Sequence, residues 1–178
     1  MAVRRIIRMG HPNLRSIAEP VAKELIGSEE LNRLIADMTD TLYDYGGIGL
    51  AAPQIDVPLR LAIIEIAGGP SRYGDLQALP LTTFINPVVS VLDETREGYW
   101  EGCLSVPGLR GFVQRPQHVH IDYTDEKGTP ETLELSGFLA TVFQHEFDHL
   151  DGKLYIDRLE DSSKLVFDEE FLRYWQED

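Results

Sequence analysis

The sequence of 178 residues is poor in several residue types, and each deficit narrows the class of protein. It contains a single cysteine, Cys103, so no disulfide can form within the chain and nothing favours an oxidising compartment. Lys and Arg number 16 against 30 Asp and Glu, and the net charge of −14 opposes attraction to nucleic-acid phosphates or anionic lipid. We therefore expect no direct nucleic-acid binding and no membrane association.

Long apolar runs are also missing. No run approaches the roughly 20 residues of a membrane span, and the first residues, MAVRRIIRMG, lack the apolar region of a secretory signal. The hydrophobic fraction of 43% is nevertheless enough to bury a core. We expect a cytoplasmic protein with one domain over residues 1–178, which ends in a short acidic tail from about residue 160.

Helical spacing of apolar residues appears twice. Ser28 is a plausible N-cap, with Glu29 and Glu30 in the first turn, and the first helix is expected to end at Gly46. Its apolar positions are Leu31, Leu34, Ile35, Met38 and Leu42. Residues 137–150 return to helical spacing. The apolar residues of this second helix are Phe138, Leu139, Val142 and Phe143.

Strand patterns fill most of the chain between the two helices. They cover residues 61–66, 83–92, 111–113, 118–123 and 132–135, and a turn at 125–128 joins the last two as a hairpin. The glycine-rich stretch GGIGLAAPQ, residues 46–54, and residues 68–80 are expected to be irregular loops. Consecutive strands flanked by helices indicate an α+β fold, with antiparallel or mixed sheets around the second helix.

The stretch QHEFDHL, residues 144–150, carries the pattern HExxH on the second predicted helix. Residues four apart lie on one helix face, about 5 to 6 Å from each other, so His145 and His149 can bind one metal ion together. Glu146 lies about 100° round the helix, near enough to a water molecule on the metal to act as general base. Both histidines continue the apolar stripe, so they are expected to face inward. A polar helix end without a metal is the plain alternative.

A catalytic site of this kind has three protein ligands and an open position, so a third ligand is needed. In the spacing HExxHxxGxxH the place of the third histidine is held by Tyr155, which excludes that arrangement. Glu169 and Glu170 stand about twenty residues further on, the distance of the third ligand in gluzincin peptidases. Both belong to an acidic stretch that needs only to be solvated, so this alternative is open but weak.

Other residues also offer nitrogen or sulfur. His118 and His120 share one face of a predicted strand, where solvent exposure or ordinary hydrogen bonds are the simpler expectation. Cys103 follows Gly102, whose missing side chain lets a ligand come close, and a thiolate suits iron, zinc, nickel or cobalt. A buried, unreactive cysteine is the plain alternative. Among the candidates for the third ligand, which are Cys103, the pair His118 and His120, and the pair Glu169 and Glu170, Cys103 is the most specific.

Three motifs in the order GIGLAAPQ (47–54), EGCLS (101–105) and QHEFDHL (144–150) resemble those of peptide deformylase. The resemblance extends over most of the chain, from IIRMGHPNLR to HLDGKLYIDRL. It implies a metal-dependent hydrolase that removes the N-formyl group from the N-terminal formylmethionine of newly synthesised polypeptides and releases formate. Cys103, His145 and His149 would bind one divalent ion, Fe2+ in the cell, which Zn2+, Ni2+ or Co2+ can replace. Metal-bound water would attack the formyl carbon, with Glu146 as the acid/base residue.

The resemblance also implies the groups that bind the reacting peptide. The side-chain amide of Gln54 and the backbone N–H of Leu104 would stabilise the oxyanion. An extended peptide would pair with backbone in the manner of an added strand. The expected contacts are Ile48, Gly49 and Gly102 for the peptide backbone, Ile48 and Val142 for the methionine side chain, and Arg110 near the backbone. For Glu101 a structural hydrogen bond is the favoured interpretation.

The expected partners are formylmethionyl nascent peptides, which implies transient proximity to the ribosome. The acidic tail after Leu159 opposes tight docking on ribosomal RNA. Two other classes remain open at this point. One is a gluzincin-like peptidase that uses Glu169 or Glu170, and the other is a non-enzymatic peptide-binding or metal-structural domain.

Overall fold

A computed structural model of the chain describes residues 2–71 and 74–176. The first helix, α1, spans Glu29–Tyr45, as the apolar spacing predicts. The Ser28 side chain accepts a hydrogen bond from the Leu31 N–H at 3.2 Å, which caps the first turn. Gly46 ends the helix in the left-handed conformation, with φ of 68°. Both predicted ends of α1 are therefore confirmed.

The described residues form one large antiparallel sheet and a separate hairpin. The large sheet has the order β1-β2-β5-β6-β7, with β8 also paired to β6, and β3 pairs only with β4. Every pair is antiparallel. The strands are β1 Gly49–Ala51, β2 Leu61–Ile66, β3 Gly69–Ser71, β4 Gly74–Leu76, β5 Leu79–Cys103, β6 Val106–Thr124, β7 Pro130–Ser136 and β8 Leu165–Phe167.

Two strands are longer than the sequence pattern predicts. The expected strand at 83–92 is the middle of β5, and the two expected at 111–113 and 118–123 are parts of β6. The pairing of β5 with β6 continues past residues that disfavour strand structure, because its register shifts at those places. One shift lies between Ile85 and Val88, and another lies between Asp93 and Arg96. Tertiary pairing thus overrides local propensity.

Two predicted loops contain regular structure, so those expectations are wrong. The glycine-rich stretch 46–54 holds β1, which pairs with β2, and then enters the 3-10 helix Ala52–Ile55. A three-residue strand is too short to show an alternating pattern. Residues 68–80 hold β3, β4 and the start of β5, while positions 72–73 of that expected loop lie outside the described residues.

The second helix, α2, spans Gly137–Asp148 and continues as the 3-10 turn His149–Asp151. Phe84 of the sheet lies 5.3 Å from Phe143 and 5.6 Å from Phe147, measured between ring centroids. All three rings are buried, and each contributes roughly 1.5–3 kcal/mol by leaving water. These contacts fix α2 against the sheet and hold the HExxH segment inside the protein. Among the described residues no helix meets the length and hydropathy of a membrane span.

The acidic carboxyl-terminal stretch folds onto the end of the sheet. β8 pairs with residues 109–111 of β6, and the third helix, α3, follows at Asp168–Tyr174. Phe171 of α3 and Trp175 after it lie 5.2 and 5.3 Å from the ring of Trp100. Trp100 itself packs against Phe112, its partner across β5 and β6. We call the side of β5 and β6 that carries Trp100 and Phe112 the outer face.

Candidate active site

The site lies where α2 meets the end of β5. Cys103 is the last residue of β5, His145 is on α2, and His149 begins the 3-10 turn that follows. Their sulfur and nitrogen ligand atoms all lie within 4.8 Å of one another, and both histidines are buried, as expected. Among residues 2–71 and 74–176 this is the one group of three potential metal ligands. It leaves out the alternative candidates His118, His120, Glu169 and Glu170.

Cys103 lies in surroundings that favour its thiolate. Burial opposes ionisation, but the positive charge of His149 and the hydrogen bonds from His145 and His149 outweigh it and lower the pKa of the thiol to about 5. The Sγ atom lies 3.4 Å from Nε2 of His149. The thiolate is the form of cysteine that binds metal ions, so the electrostatics of this corner suit a metal ligand.

His145 is oriented by a buried carboxylate. Its Nδ1 lies 2.7 Å from Oε2 of Glu101, and its hydrogen bond with Cys103 faces the ligand group. Burial alone would raise the pKa of Glu101, but hydrogen bonds from His145 and Arg115 lower it. A carboxylate that accepts from the non-ligating nitrogen of a histidine fixes its tautomer and ring orientation. Glu101 thus makes a structural hydrogen bond, as expected.

Arg115 joins Glu101 to a second buried carboxylate. Its Nε and Nη2 donate to Glu101 at 2.6 and 3.0 Å, and its Nη1 donates to Oδ2 of Asp148 at 2.7 Å. Arg158 also binds Asp148, at 2.5 Å from Nη2. The side chain of Arg115 is only 2% exposed, so each buried charge depends on its partners. Sequence reasoning missed Arg115, Asp148 and Arg158, because no spacing pattern in the sequence predicts contacts between them.

Glu146 lies at the base of the site against Gly49. A Cβ atom at Gly49 would stand 2.5 Å from Cδ of Glu146, so only glycine leaves room for this carboxyl group. Burial raises the pKa of Glu146, although the charges of His145 and His149 partly oppose the shift. Within the described residues its Oε2 has no hydrogen-bond partner. A raised pKa brings a buried carboxyl group closer to the range in which it can both accept and return a proton.

Gln54 and Leu104 flank Cys103. The Oε1 atom of Gln54 accepts from the Ala51 N–H at 2.9 Å, which fixes the amide group. Its Nε2 then faces Sγ of Cys103 at 3.6 Å and Oγ of Ser105 at 3.2 Å. Leu104 lies in the turn between β5 and β6, next to Cys103. The side-chain amide donor of Gln54 therefore faces the ligand group, and Leu104 adjoins it in the chain.

A groove of about 880 Å³ opens from the ligand group to the surface. It is lined by all the residues expected to bind peptide, namely Ile48, Gly49, Gly102, Arg110 and Val142. Val142 is buried at its base, while Ile48 is 47% exposed at its rim. Sequence reasoning missed other lining residues, which carry no motif of their own: Arg5, Arg8, Trp100, Phe138, Thr141 and Asp168.

Two strand edges border the groove. β1 is the end strand of the large sheet, and the 99–103 part of β5 pairs only with β6 among the described strands. Their backbone N–H and C=O groups can therefore pair with an extended chain. A buried acid beside three groups that could hold one metal ion, at the end of such a groove, is typical of hydrolases that act on peptides.

Comparisons with known proteins narrow this class. The sequence model of the polypeptide deformylase family matches residues 3–165. Peptide deformylase 2 of Pseudomonas syringae pv. tomato is 47% identical over 165 residues, which are 93% of this chain and 92% of that protein. The chain belongs to the peptide deformylase family, whose members remove the N-formyl group from nascent peptides.

Solved structures agree in fold. A peptide deformylase from Synechococcus elongatus in complex with actinonin is 34% identical with a TM-score of 0.79, covering 98% of this chain and 87% of that one. A class I type b peptide deformylase from Acinetobacter baumannii bound to Met-Ala-Ser is 31% identical with a TM-score of 0.81, covering 89% and 99%. The α+β fold and the resemblance found in the sequence are confirmed.

Proposed function

We propose that the chain is a metal-dependent deformylase that hydrolyses the formyl amide of N-terminal formylmethionine on newly synthesised polypeptides and releases formate. The observation that carries this proposal is the Cys103, His145 and His149 group, with ligand atoms within 4.8 Å, beside the buried carboxyl group of Glu146. Family membership supports the substrate class, and the ligand group supports the metal dependence.

The donor set fits a divalent transition metal. One thiolate and two imidazoles suit Fe2+, Zn2+, Ni2+ or Co2+, and we propose Fe2+ as the ion in the cell. Glu101 holds Nδ1 of His145 and so leaves the other ring nitrogen for the ion. When bound, the metal would lower the pKa of a water molecule and polarise the formyl carbonyl.

Glu146 would carry the proton in both halves of the reaction. Its carboxylate accepts the proton of the attacking water, and the carboxylic acid then donates it to the nitrogen of the leaving amine. The raised pKa that burial causes brings the carboxyl group closer to the pH at which both transfers are efficient. Contact with Gly49 keeps the group at one place in the site.

Gln54 and Leu104 would stabilise the negative charge that develops on the formyl oxygen. The Gln54 amide is held by the Ala51 N–H, and its Nε2 already faces Cys103. The Leu104 backbone N–H is the second proposed donor, next to Cys103. Donors already in place before the charge develops lower the barrier most.

The groove would bind the peptide as an added strand. We propose backbone pairing with Ile48, Gly49 and Gly102, and an apolar pocket for methionine formed by Ile48 and Val142. Backbone pairing tolerates many side chains, which suits an enzyme that acts on many nascent chains. The related Acinetobacter baumannii enzyme was solved with bound Met-Ala-Ser, a tripeptide that begins with methionine, which supports a pocket for methionine.

The proposed setting is the cytoplasm, where formylated chains leave the ribosome. Proximity to the ribosome would be transient, since the net charge of −14 gives no support to tight binding of RNA. The acidic stretch after Leu159 instead packs on the protein itself through β8 and α3.

Formate release tests the proposal. The protein, purified without oxygen and loaded with Fe2+, is given formyl-Met-Ala-Ser and, as control substrate, acetyl-Met-Ala-Ser. We expect formate from the first and no acetate from the second. Glu146→Gln is the matched inactive variant, since it keeps the size of the side chain. The absence of formate from the iron-loaded wild type would overturn the proposal.

A further inference from the structure

The sequence model of the family ends before the carboxyl-terminal helix. The match ends at residue 165, whereas β8 and α3 extend through Tyr174. β8 pairs with β6 so that Val166 stands opposite Arg110, and α3 begins two residues later, at Asp168. Both Arg110 and Asp168 line the groove. α3 therefore adds a side chain to the groove from beyond the residues that the family's sequence model matches.

Aromatic contacts fix α3 on the outer face of β5 and β6. Trp100 lies within about 6 Å of three other rings, those of Phe112, Phe171 and Trp175, at ring-pair distances typical of favourable aromatic contacts. Phe171 is 2% exposed. Because this aromatic layer holds the helix, Asp168 in its first turn has a defined position beside the groove.

Arg110 is held on three sides. Its Nε donates to Oδ1 of Asp168 at 2.7 Å. Its guanidinium lies over Gly102, where an added Cβ atom would stand 2.7 Å from Nη1. Its Cζ lies 5.9 Å from the ring centroid of Phe171. Within residues 2–71 and 74–176, no hydrogen bond is described from either Nη atom of Arg110, so its remaining N–H donors are available to a ligand.

The pair of Arg110 and Asp168 is poorly suited to a role in stability. The two side chains are 36% and 38% exposed, and ion pairs at such exposure contribute little to folding. The pair instead lies beside Gly102, one residue from Cys103 and on the groove. A guanidinium with a fixed plane and unused donors is suited to bind carbonyl oxygens.

The geometry points to Asp168 as a positioning residue for peptide binding. It holds Arg110 through Nε, and the Nη groups of Arg110 donate to backbone carbonyl oxygens of the peptide beyond its first residue. Formylmethionine, the first residue, would place its formyl group at the ligand atoms and its side chain in the pocket at Val142. Arg110 lies on the outer face, so its contacts fall on later residues of the peptide. This inference rests on the proposed deformylase function and adds α3 to its substrate site.

Steady-state kinetics with amide-capped peptides test the role of Asp168. The cap matters because a free carboxylate on a short peptide would itself attract Arg110. We expect Asp168→Ala to raise KM for formyl-Met-Ala-Ser amide about tenfold, with kcat changed less than about twofold. The reason is that Arg110 loses its fixed position, and with it the peptide loses a positioned hydrogen bond to a charged group. For formyl-Met amide, which ends before the contact, KM should change less than about twofold.

The matched control is Glu169→Ala. Glu169 is the next residue of α3 and is exposed, and its removal changes the net charge by the same amount. We expect it to leave KM within about twofold of wild type. Asp168→Asn keeps an oxygen that can accept from Nε, so KM should rise only about threefold.

A double-mutant cycle separates positioning from a direct contact. Arg110→Ala should raise KM about as much as Asp168→Ala, and the double variant should exceed Arg110→Ala by less than about twofold. Calorimetric binding of the product Met-Ala-Ser amide should show the same ratios without any turnover. Unchanged KM in Asp168→Ala, multiplied effects in the double variant, or an equal rise in Glu169→Ala would each overturn the inference. Lack of formate from wild type would instead contradict the proposed function.

Discussion

Two arginines on the same strand illustrate opposite uses of an ion pair. Arg115 is 2% exposed and binds two buried carboxylates with three of its nitrogen atoms. Arg110 is 36% exposed and binds one half-exposed carboxylate through Nε alone. All three guanidinium nitrogens of the buried arginine donate to protein carboxylates, whereas the exposed arginine keeps donors for a substrate. The same chemistry thus supports the ligand histidines in one region and the peptide groove in the other.

Glu146 tests the contrast most strongly, because it is a buried carboxyl group without an arginine partner. We expect Glu146→Gln to lower kcat by about 10⁴-fold, since the proton can no longer be transferred. Stability should be unchanged or slightly higher, because burial disfavours the charged form of Glu146. Formate release and thermal unfolding of the same metal-loaded sample measure both. Glu169→Gln on the exposed surface is the control, and full activity in Glu146→Gln would contradict its assigned role.

Arg115→Met should separate the two arginines in stability. It leaves Glu101 with His145 alone and Asp148 with Arg158 alone, so we expect a loss of about 3–5 kcal/mol. For a chain of this length that corresponds to a fall in Tm of about 10 °C. Metal affinity should also fall about 10–100-fold, because the carboxylate behind His145 is disturbed.

The matched variant for this prediction is Arg110→Met. We expect its Tm to lie within about 2 °C of wild type, because its ion pair is half-exposed. Thermal unfolding and metal titration of both variants give the comparison directly. Equal losses of stability in the two variants would show that burial does not distinguish the two arginines.

Gln54→Ala should affect the rate and leave the fold nearly intact. Removing one oxyanion donor is expected to lower kcat by about 10²–10³-fold, with little change in KM. Gln54→Glu is the useful companion, since it keeps the acceptor for the Ala51 N–H but removes the amide donor. Formate kinetics measure both variants. Retained activity in Gln54→Glu would show that the amide donor is unnecessary.

Tyr155→Phe should have the smallest effect. Tyr155 is buried, stacks on His145 at 6.0 Å between ring centroids, and donates its hydroxyl proton to the Leu109 carbonyl at 3.2 Å. Loss of that hydrogen bond should cost about 1 kcal/mol. Metal content should not change, because the ring still packs on the histidine. Loss of the metal would instead show that Tyr155 supports the ligand group through its hydroxyl.

The helical half of the site could be predicted from the sequence because the residues that form it are close together in the chain. His145, Glu146 and His149 lie within one helical turn, and the apolar stripe of α2 indicates which way they face. The link to Cys103 came from the resemblance, since from the residues alone the third ligand stayed open among several candidates. The ends of α1 could be predicted for the same reason, because a serine cap and a glycine stop mark them locally.

The ion pairs that support the site could not be predicted from the sequence because they join distant parts of the chain. Arg115 and Asp148 are 33 residues apart, and Arg110 and Asp168 are 58 apart, with no shared spacing pattern. The lengths of β5 and β6 also depend on cross-strand pairing that continues past register shifts. An exposed acidic tail was expected, and only the packing of Phe171 and Trp175 on Trp100 shows that α3 reaches the groove.

Metal content tests the central claim most directly. We predict one Fe2+ per chain after purification without oxygen, loss of tight metal binding in Cys103→Ala, and one ion retained when Glu169 and Glu170 are both replaced by alanine. Elemental analysis of the folded proteins gives the ratio. A Cys103→Ala variant that keeps its metal and releases formate as fast as wild type would contradict the account.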